Sequence, residues 1–171
     1  MFCFVVLHFV ADLINSIFVA DRYVEYTTVN GQCKWWRLSF SAIEKEIVKH
    51  ADGTHCRDDT RTCRKDVLRL LKDDLVNFYE NNRLCGKSVC SYFMKTIVLH
   101  VWEEEHSWAD TDLRLRYVNA LERTVQCLNE KHIEHFFIEG ENLFDEKEVS
   151  DRDLKPIREY FRGILNSYSV Y

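Results

Sequence analysis

Apolar side chains recur at helical spacing through the second half of the chain. Between Asp66 and Glu80, the residues Val67, Leu68, Leu70, Leu71, Leu75, Val76, Phe78 and Tyr79 make one broad apolar face, which predicts a helix. Met94, Ile97, Val98, Val101 and Trp102 predict another from Ser91 to about Glu105, and Leu113, Tyr117, Leu121, Val125 and Leu128 a third over 112–131. Leu154, Ile157, Phe161, Ile164 and Leu165 predict a last helix, capped by Asp153 and running to Asn166, with Pro156 tolerable in its first turn. A shorter helix over 42–49 follows the capping box of Ser41 and Glu44. HFFIEGENLF (135–144) is apolar without a period and predicts a buried irregular stretch.

One region has the alternative pattern. RYVEYTTV is rich in β-branched and aromatic residues, Asn30-Gly31 is a strong hairpin turn signal, and QCKWWRL returns, which predicts a hairpin over 23–38. One proline and five glycines favour long helices over a many-stranded protein. The expected fold is mostly α: a helical lobe of about five helices behind a short β-hairpin, with a polar loop, 50–63, between the first two helices. Residues 23–171 read as one domain, and 1–22 as an unplaced apolar segment. That segment lacks the basic start of a signal peptide, and His8, Asp12 and Asn15 interrupt it. A membrane span is therefore not expected. A buried segment, or the edge of a truncated gene model, fits better than a signal or anchor.

Composition narrows the picture further. Hydrophobic residues at 46% and aromatics at 13% exclude disorder. A net charge of -5 gives no general support for nucleic-acid binding, so any such binding needs a local basic patch. Seven cysteines, an odd number without regular spacing, argue against a secreted disulfide framework and for a reducing compartment.

Three constellations could carry chemistry. His50, His55, Cys56 and Cys63 stand in a polar loop, and two imidazoles with two thiolates suit a closed tetrahedral zinc site. The competing readings are a Cys56–Cys63 disulfide or four unrelated polar residues. Lys49, Arg57, Arg61, Arg64, Lys65, Arg69 and Lys72 gather in and after that loop, diluted by Asp52, Asp58, Asp59 and Asp66. They make either a phosphate-binding face or an ordinary solvated surface. Arg37, Ser39 and Ser41, with Ser91 and Tyr92, offer a guanidinium, hydroxyls and a stackable ring to a nucleotide; a helix cap for Ser41 and a core position for Tyr92 are the alternatives. No Gly-Ser turn followed by paired acids is present, and Asp110 and Asp112 read as a helix cap. No nucleophile triad or phosphate-cradling glycine loop stands out.

WRLSFSAIEKEI (36–47), the His/Cys loop, CRKDVLRLLKDDL (63–75), SYFMKT (91–96) and HFFIEGENLF occur in an order that resembles the cyclic GMP-AMP synthase-like branch of the male-abnormal (Mab) nucleotidyltransferase-fold family. The resemblance runs from about residue 30 to the last helix and covers the family's C-terminal helical, HhH/H2TH-like half. It implies a structural zinc on His50, His55, Cys56 and Cys63. The family's loop reads His, five residues, Cys-Cys, six residues, Cys; here His55 replaces the first cysteine of the pair, and one residue is missing before it. It further implies that Arg37, Ser39 and Glu44 face nucleotide bases, Lys72 and Ser91 contact phosphates, and Tyr92 stacks on a base. Lys45, Lys65 and Arg69 would contact double-stranded nucleic acid, DNA ahead of RNA, with the zinc loop supporting a homodimer in the cytoplasm or nucleus. The family's catalytic carboxylates lie upstream of the resemblance and are absent from this sequence. Magnesium and ATP or GTP chemistry would thus belong to a full-length enzyme, and this chain alone is expected to be inactive. The other readings are a non-catalytic nucleic-acid-binding module and a structural member of the family.

Overall fold

A computed structural model describes residues 23–27, 33–37, 47, 62–82, 88–144 and 149–168. The chain divides into two units, 1–46 and 47–171. In the first, β1 (Tyr23–Thr27) and β2 (Cys33–Arg37) pair antiparallel, with Tyr23 opposite Arg37 and Thr27 opposite Cys33. The Asn30-Gly31 turn, the helix expected over 42–49 apart from Ile47, and most of the polar loop lie outside the described residues.

The second unit holds four α-helices among the described residues: α1 (Arg64–Asn82), α2 (Ser91–Glu104), α3 (Leu113–Glu130) and α4 (Asp151–Tyr168). α3 packs against each of the other three, and α1 also packs against α2. The apolar periods supply the contacts. Val67, Leu71, Leu75 and Phe78 form the inward stripe of α1, and Leu154, Ile157 and Phe161 that of α4; all are buried. Phe161 has no exposed surface, so truncating it to alanine removes about 3–5 kcal/mol of packing. Leu70 and Val76, counted in the broad face of α1, point to solvent instead.

Helix ends depart from the sequence reading. α1 begins at Arg64 rather than Asp66, because the Val67 amide donates to the Cys63 carbonyl (2.9 Å) and closes a turn earlier. α4 begins at Asp151. Its cap is Ser150, whose Oγ accepts from the Asp153 amide (3.2 Å) and donates to the Asp153 carboxylate (2.6 Å). Asp153 is the reciprocal partner of that cap, not the cap itself. Pro156 consequently falls in the second turn, where its missing N–H leaves the carbonyl of exposed Arg152 without a helical donor. Asp110–Asp112 form a short 3-10 turn before α3. Asp112 occupies the cap position of α3, but its carboxylate accepts from Ser107 Oγ (2.5 Å) rather than from a helix amide.

Beyond α3 the chain turns through Lys131 in the left-handed region (φ 50°). The segment to Phe144 then closes on Asn142. The Asn142 side-chain oxygen accepts from the amides of Ile133 (3.0 Å) and Phe144 (3.2 Å), and its amide nitrogen donates to the Lys131 carbonyl (3.0 Å). Ile133, His135, Phe137, Leu143 and Phe144 are buried by this closure. None of the helices among the described residues is long and apolar enough to cross a membrane.

Candidate functional site

The start of α2 is set by α1. Tyr79, near the end of α1, donates its hydroxyl to the Val89 carbonyl (2.9 Å) and accepts from the Val89 amide (3.0 Å). This pair of hydrogen bonds fixes the backbone two residues before Ser91. Cys90 is the N-cap, in extended conformation, and gives α2 no side-chain cap. Exposed Ser91 and half-buried Tyr92 therefore stand at the positive end of a helix whose N-cap residue, Cys90, gives it no side-chain hydrogen bond.

Tyr92 is held from two directions. Its hydroxyl lies 3.1 Å from His135 Nε2, and the Lys95 ammonium sits 5.5 Å from its ring centroid. His135 is buried, and its Nδ1 accepts from the Phe137 amide (3.1 Å). An imidazole that accepts at Nδ1 carries its proton on Nε2, so His135 is the donor and the Tyr92 oxygen the acceptor.

α1 carries the basic residues. Lys65, Arg69 and Lys72 recur at i, i+4 and i+7 and share one face. Lys65 and Arg69 are exposed, and the Arg69 guanidinium lies 3.1 Å from the Asp66 carboxylate. Lys72 is half-buried and partnered. Arg37 ends β2 in the other unit. Ser39, Glu44, Lys45, His50, His55 and Cys56 lie outside the described residues.

Of the zinc-loop residues, Cys63 is described, and it is a buried free thiol. Its backbone is pinned where the loop meets α1: the Cys63 amide donates to the Trp108 carbonyl (3.0 Å), and Thr62 bridges Ala109. Arg64 stacks its guanidinium 4.2 Å from the Trp102 ring centroid. Buried Arg116 pairs with Glu105, donates to the Ser107 carbonyl (2.6 Å) and lies 5.8 Å from the Trp108 ring. Burial pushes the Cys63 thiol up, opposed by a hydrogen bond involving its own backbone, while Asp112 and Asp110 add to the rise. Among the described residues no group of three or more His, Cys, Asp or Glu is placed to hold a metal. The donor set of the whole loop, two imidazoles and two sulfurs, fits a closed structural zinc, and a buried sulfur agrees with a site that excludes water.

A cavity of about 120 Å³ lies between α2 and α3, lined by His100, Arg123, Cys127, Glu130, His132 and Glu134 among others. His100 is eight residues along α2 from Tyr92, and the cavity is below the roughly 300 Å³ at which ligand pockets begin. None of the candidate zinc, nucleotide or nucleic-acid residues named from the sequence lines it. Two residues that the sequence reading did not single out belong to the Tyr92 cluster. Lys95, at i+3, was legible in helical spacing. His135 opens the HFFIEGENLF stretch, but nothing local to it points to Tyr92.

The Mab-21 protein HhH/H2TH-like domain matches residues 63–159, which contain α1 to α3 and the first half of α4. Cyclic GMP-AMP synthase of Sus scrofa is 36% identical over 136 residues, covering 73% of this chain and 26% of that protein. The synthase of Mus musculus is 32% identical over 130 residues, 72% of this chain and 25% of that protein. A cyclic GMP-AMP synthase-like receptor of Magallana gigas is 31% identical over 131 residues, 76% of this chain and 21% of the receptor. The chain thus spans about a quarter or less of the length of these relatives. With more than half of its length matched, and with relatives of the synthase type, the chain belongs to the Mab-21 HhH/H2TH-like family as a cyclic GMP-AMP synthase-like member.

Proposed function

We propose that this chain is the helical lobe of a nucleic-acid-sensing nucleotidyltransferase. In this reading Lys72 and Ser91 bind nucleotide phosphates, Tyr92 stacks on a base, and Arg37, Ser39 and Glu44 face the bases. The observation that carries it is the first turn of α2: a hydroxyl residue and a half-buried aromatic at the positive end of a helix whose N-cap is Cys90, packed beside the helix that bears Lys72. Positive helix ends with nearby cations suit polyphosphates, and a fixed aromatic face suits a base.

Zinc on His50, His55, Cys56 and Cys63 would order the 50–63 loop and take no part in a reaction. The donor types and the pinned backbone of Cys63 support it. Lys45, Lys65 and Arg69 would grip double-stranded nucleic acid, DNA ahead of RNA, in an assembly of two copies. The second reading is a non-catalytic nucleic-acid-binding or structural module of the family.

Calorimetric titration with ATP, GTP and base-free ribose 5-triphosphate tests the nucleotide reading. Lys72→Ala should weaken all three ligands, and Tyr92→Ala only the two that carry a base. Equal affinity of the unaltered chain for ATP and the base-free triphosphate would refute stacking at Tyr92.

A further inference from the structure

We infer that His135 is a positioning residue that holds Tyr92 as a preset platform for a nucleobase; the inference rests on the nucleotide-contacting reading of Tyr92. A tyrosine at the first turn of a helix has two side-chain torsions to fix before its ring can present one face. Here the ring's far end is tied down by the 3.1 Å contact with His135 Nε2. The tie is only as firm as His135, which is fixed three ways. Its Nδ1 accepts the Phe137 amide (3.1 Å), its backbone amide donates to the Glu141 carbonyl (2.7 Å), and the residue is only 8% exposed. The segment carrying it is closed in turn by the three Asn142 hydrogen bonds.

One tautomer satisfies this arrangement. With Nδ1 accepting, the proton resides on Nε2 and points at the Tyr92 oxygen. The Nδ1–H tautomer would have no proton for the Tyr92 oxygen and no lone pair for the Phe137 amide. Fixing the ring before a ligand arrives removes the ordering cost from the binding step, so the benefit appears in affinity for the base and not for the phosphates. His135 itself need not touch the nucleotide.

The test uses the whole chain with ATP and ribose 5-triphosphate. His135→Phe keeps the ring's bulk and removes both side-chain hydrogen bonds. It should weaken ATP by about fivefold, the size of one ordinary hydrogen bond, and leave the base-free triphosphate unchanged. His135→Gln, which keeps a donor near Nε2, should recover most of the loss. Tyr92→Phe should weaken ATP similarly and add little in the His135→Phe background, because both changes remove one shared contact. Nitrogen-15 NMR of the unaltered chain should report the Nε2–H tautomer at His135, a reading that does not depend on any variant folding. A Nδ1–H tautomer would overturn the proposal. So would a His135→Phe chain that weakens both ligands alike, or that leaves ATP untouched while the unaltered chain prefers ATP. If the unaltered chain does not distinguish the two ligands, the Tyr92 reading fails first and takes this inference with it.

Discussion

Tyr117 on α3 donates its hydroxyl proton to the carboxylate of Asp74 on α1. The bond joins two helices at a half-buried position, and it does not fully repay the loss of water. Burial pushes the Asp74 carboxyl above its ordinary range, the Tyr117 bond opposes the shift, and neighbouring Asp73 adds to it. Tyr117 is pushed up as well, first by burial and then by Asp74.

A raised folded-state value means the folded chain holds the Asp74 proton more tightly than the unfolded chain. Stability therefore falls as pH rises from the unfolded value near 4 through the raised folded value, and stays lowered at neutral pH. Asp74→Asn keeps an acceptor for Tyr117 and removes the desolvated charge. It should flatten that part of the pH profile and leave the chain at least as stable at pH ~7. Tyr117→Phe leaves the carboxylate without its donor and should cost about 1–3 kcal/mol at neutral pH. Thermal melts of both variants between acid and neutral pH check the pair. An Asp74→Asn chain that loses as much at neutral pH as Tyr117→Phe would show the charge to be stabilising.

Purified without added metal, the chain should carry one zinc, held by His50, His55, Cys56 and Cys63. Cys56→Ala should abolish it, and His55→Ala should reduce it less, because thiolate is the stronger ligand in such sites. The helical signal should survive both changes, since α1 to α4 are buried on one another. Elemental analysis decides the point; a zinc content well below one per chain, or a Cys56–Cys63 disulfide under reducing conditions, contradicts it.

Binding to double-stranded DNA should be weak and strongly salt-dependent, because the face formed by Lys65, Arg69 and Lys72 is short and Asp66 neutralises part of it. Replacing Lys65 and Arg69 by glutamate should weaken binding to all sequences alike. It should also lower the slope of log affinity against log salt by about 2, near one unit for each lost phosphate contact. Unchanged affinity at low salt would put the binding surface elsewhere.

Incubated with ATP, GTP, magnesium and DNA, the chain as given should yield no cyclic dinucleotide. Its sequence holds no Gly-Ser turn followed by the paired acids that would hold the metals stabilising attacking and leaving oxygens. Mass analysis showing product above background would reveal a catalytic arrangement not evident in the motifs.

The helical lobe was legible in the sequence because burial imposes a period. Val67, Leu71, Leu75 and Phe78 announce their shared face by spacing alone. Helix ends were less legible. Ser150 and Asp153 form a reciprocal cap, and the sequence does not say which of the two is outside the helix when both can accept an amide. Asp112 likewise stands at a cap position but spends its carboxylate on Ser107. Least legible were the links between distant segments. Tyr92 with His135, Asp74 with Tyr117, and Arg64 with Trp102 leave no local pattern, because the fold alone makes them neighbours.

The anchorage of Thr62, Cys63 and Arg64 has a consequence for how the chain opens. Unravelling that enters from the residues before Thr62 must break the Cys63–Trp108 hydrogen bond and lift Arg64 from Trp102 before it passes the first residue of α1. The junction is therefore expected to open with the helical core. In hydrogen exchange the Cys63 and Val67 amides should share the slow rate of the helical core, and chelating agents that accelerate exchange ahead of Thr62 should leave both amides protected.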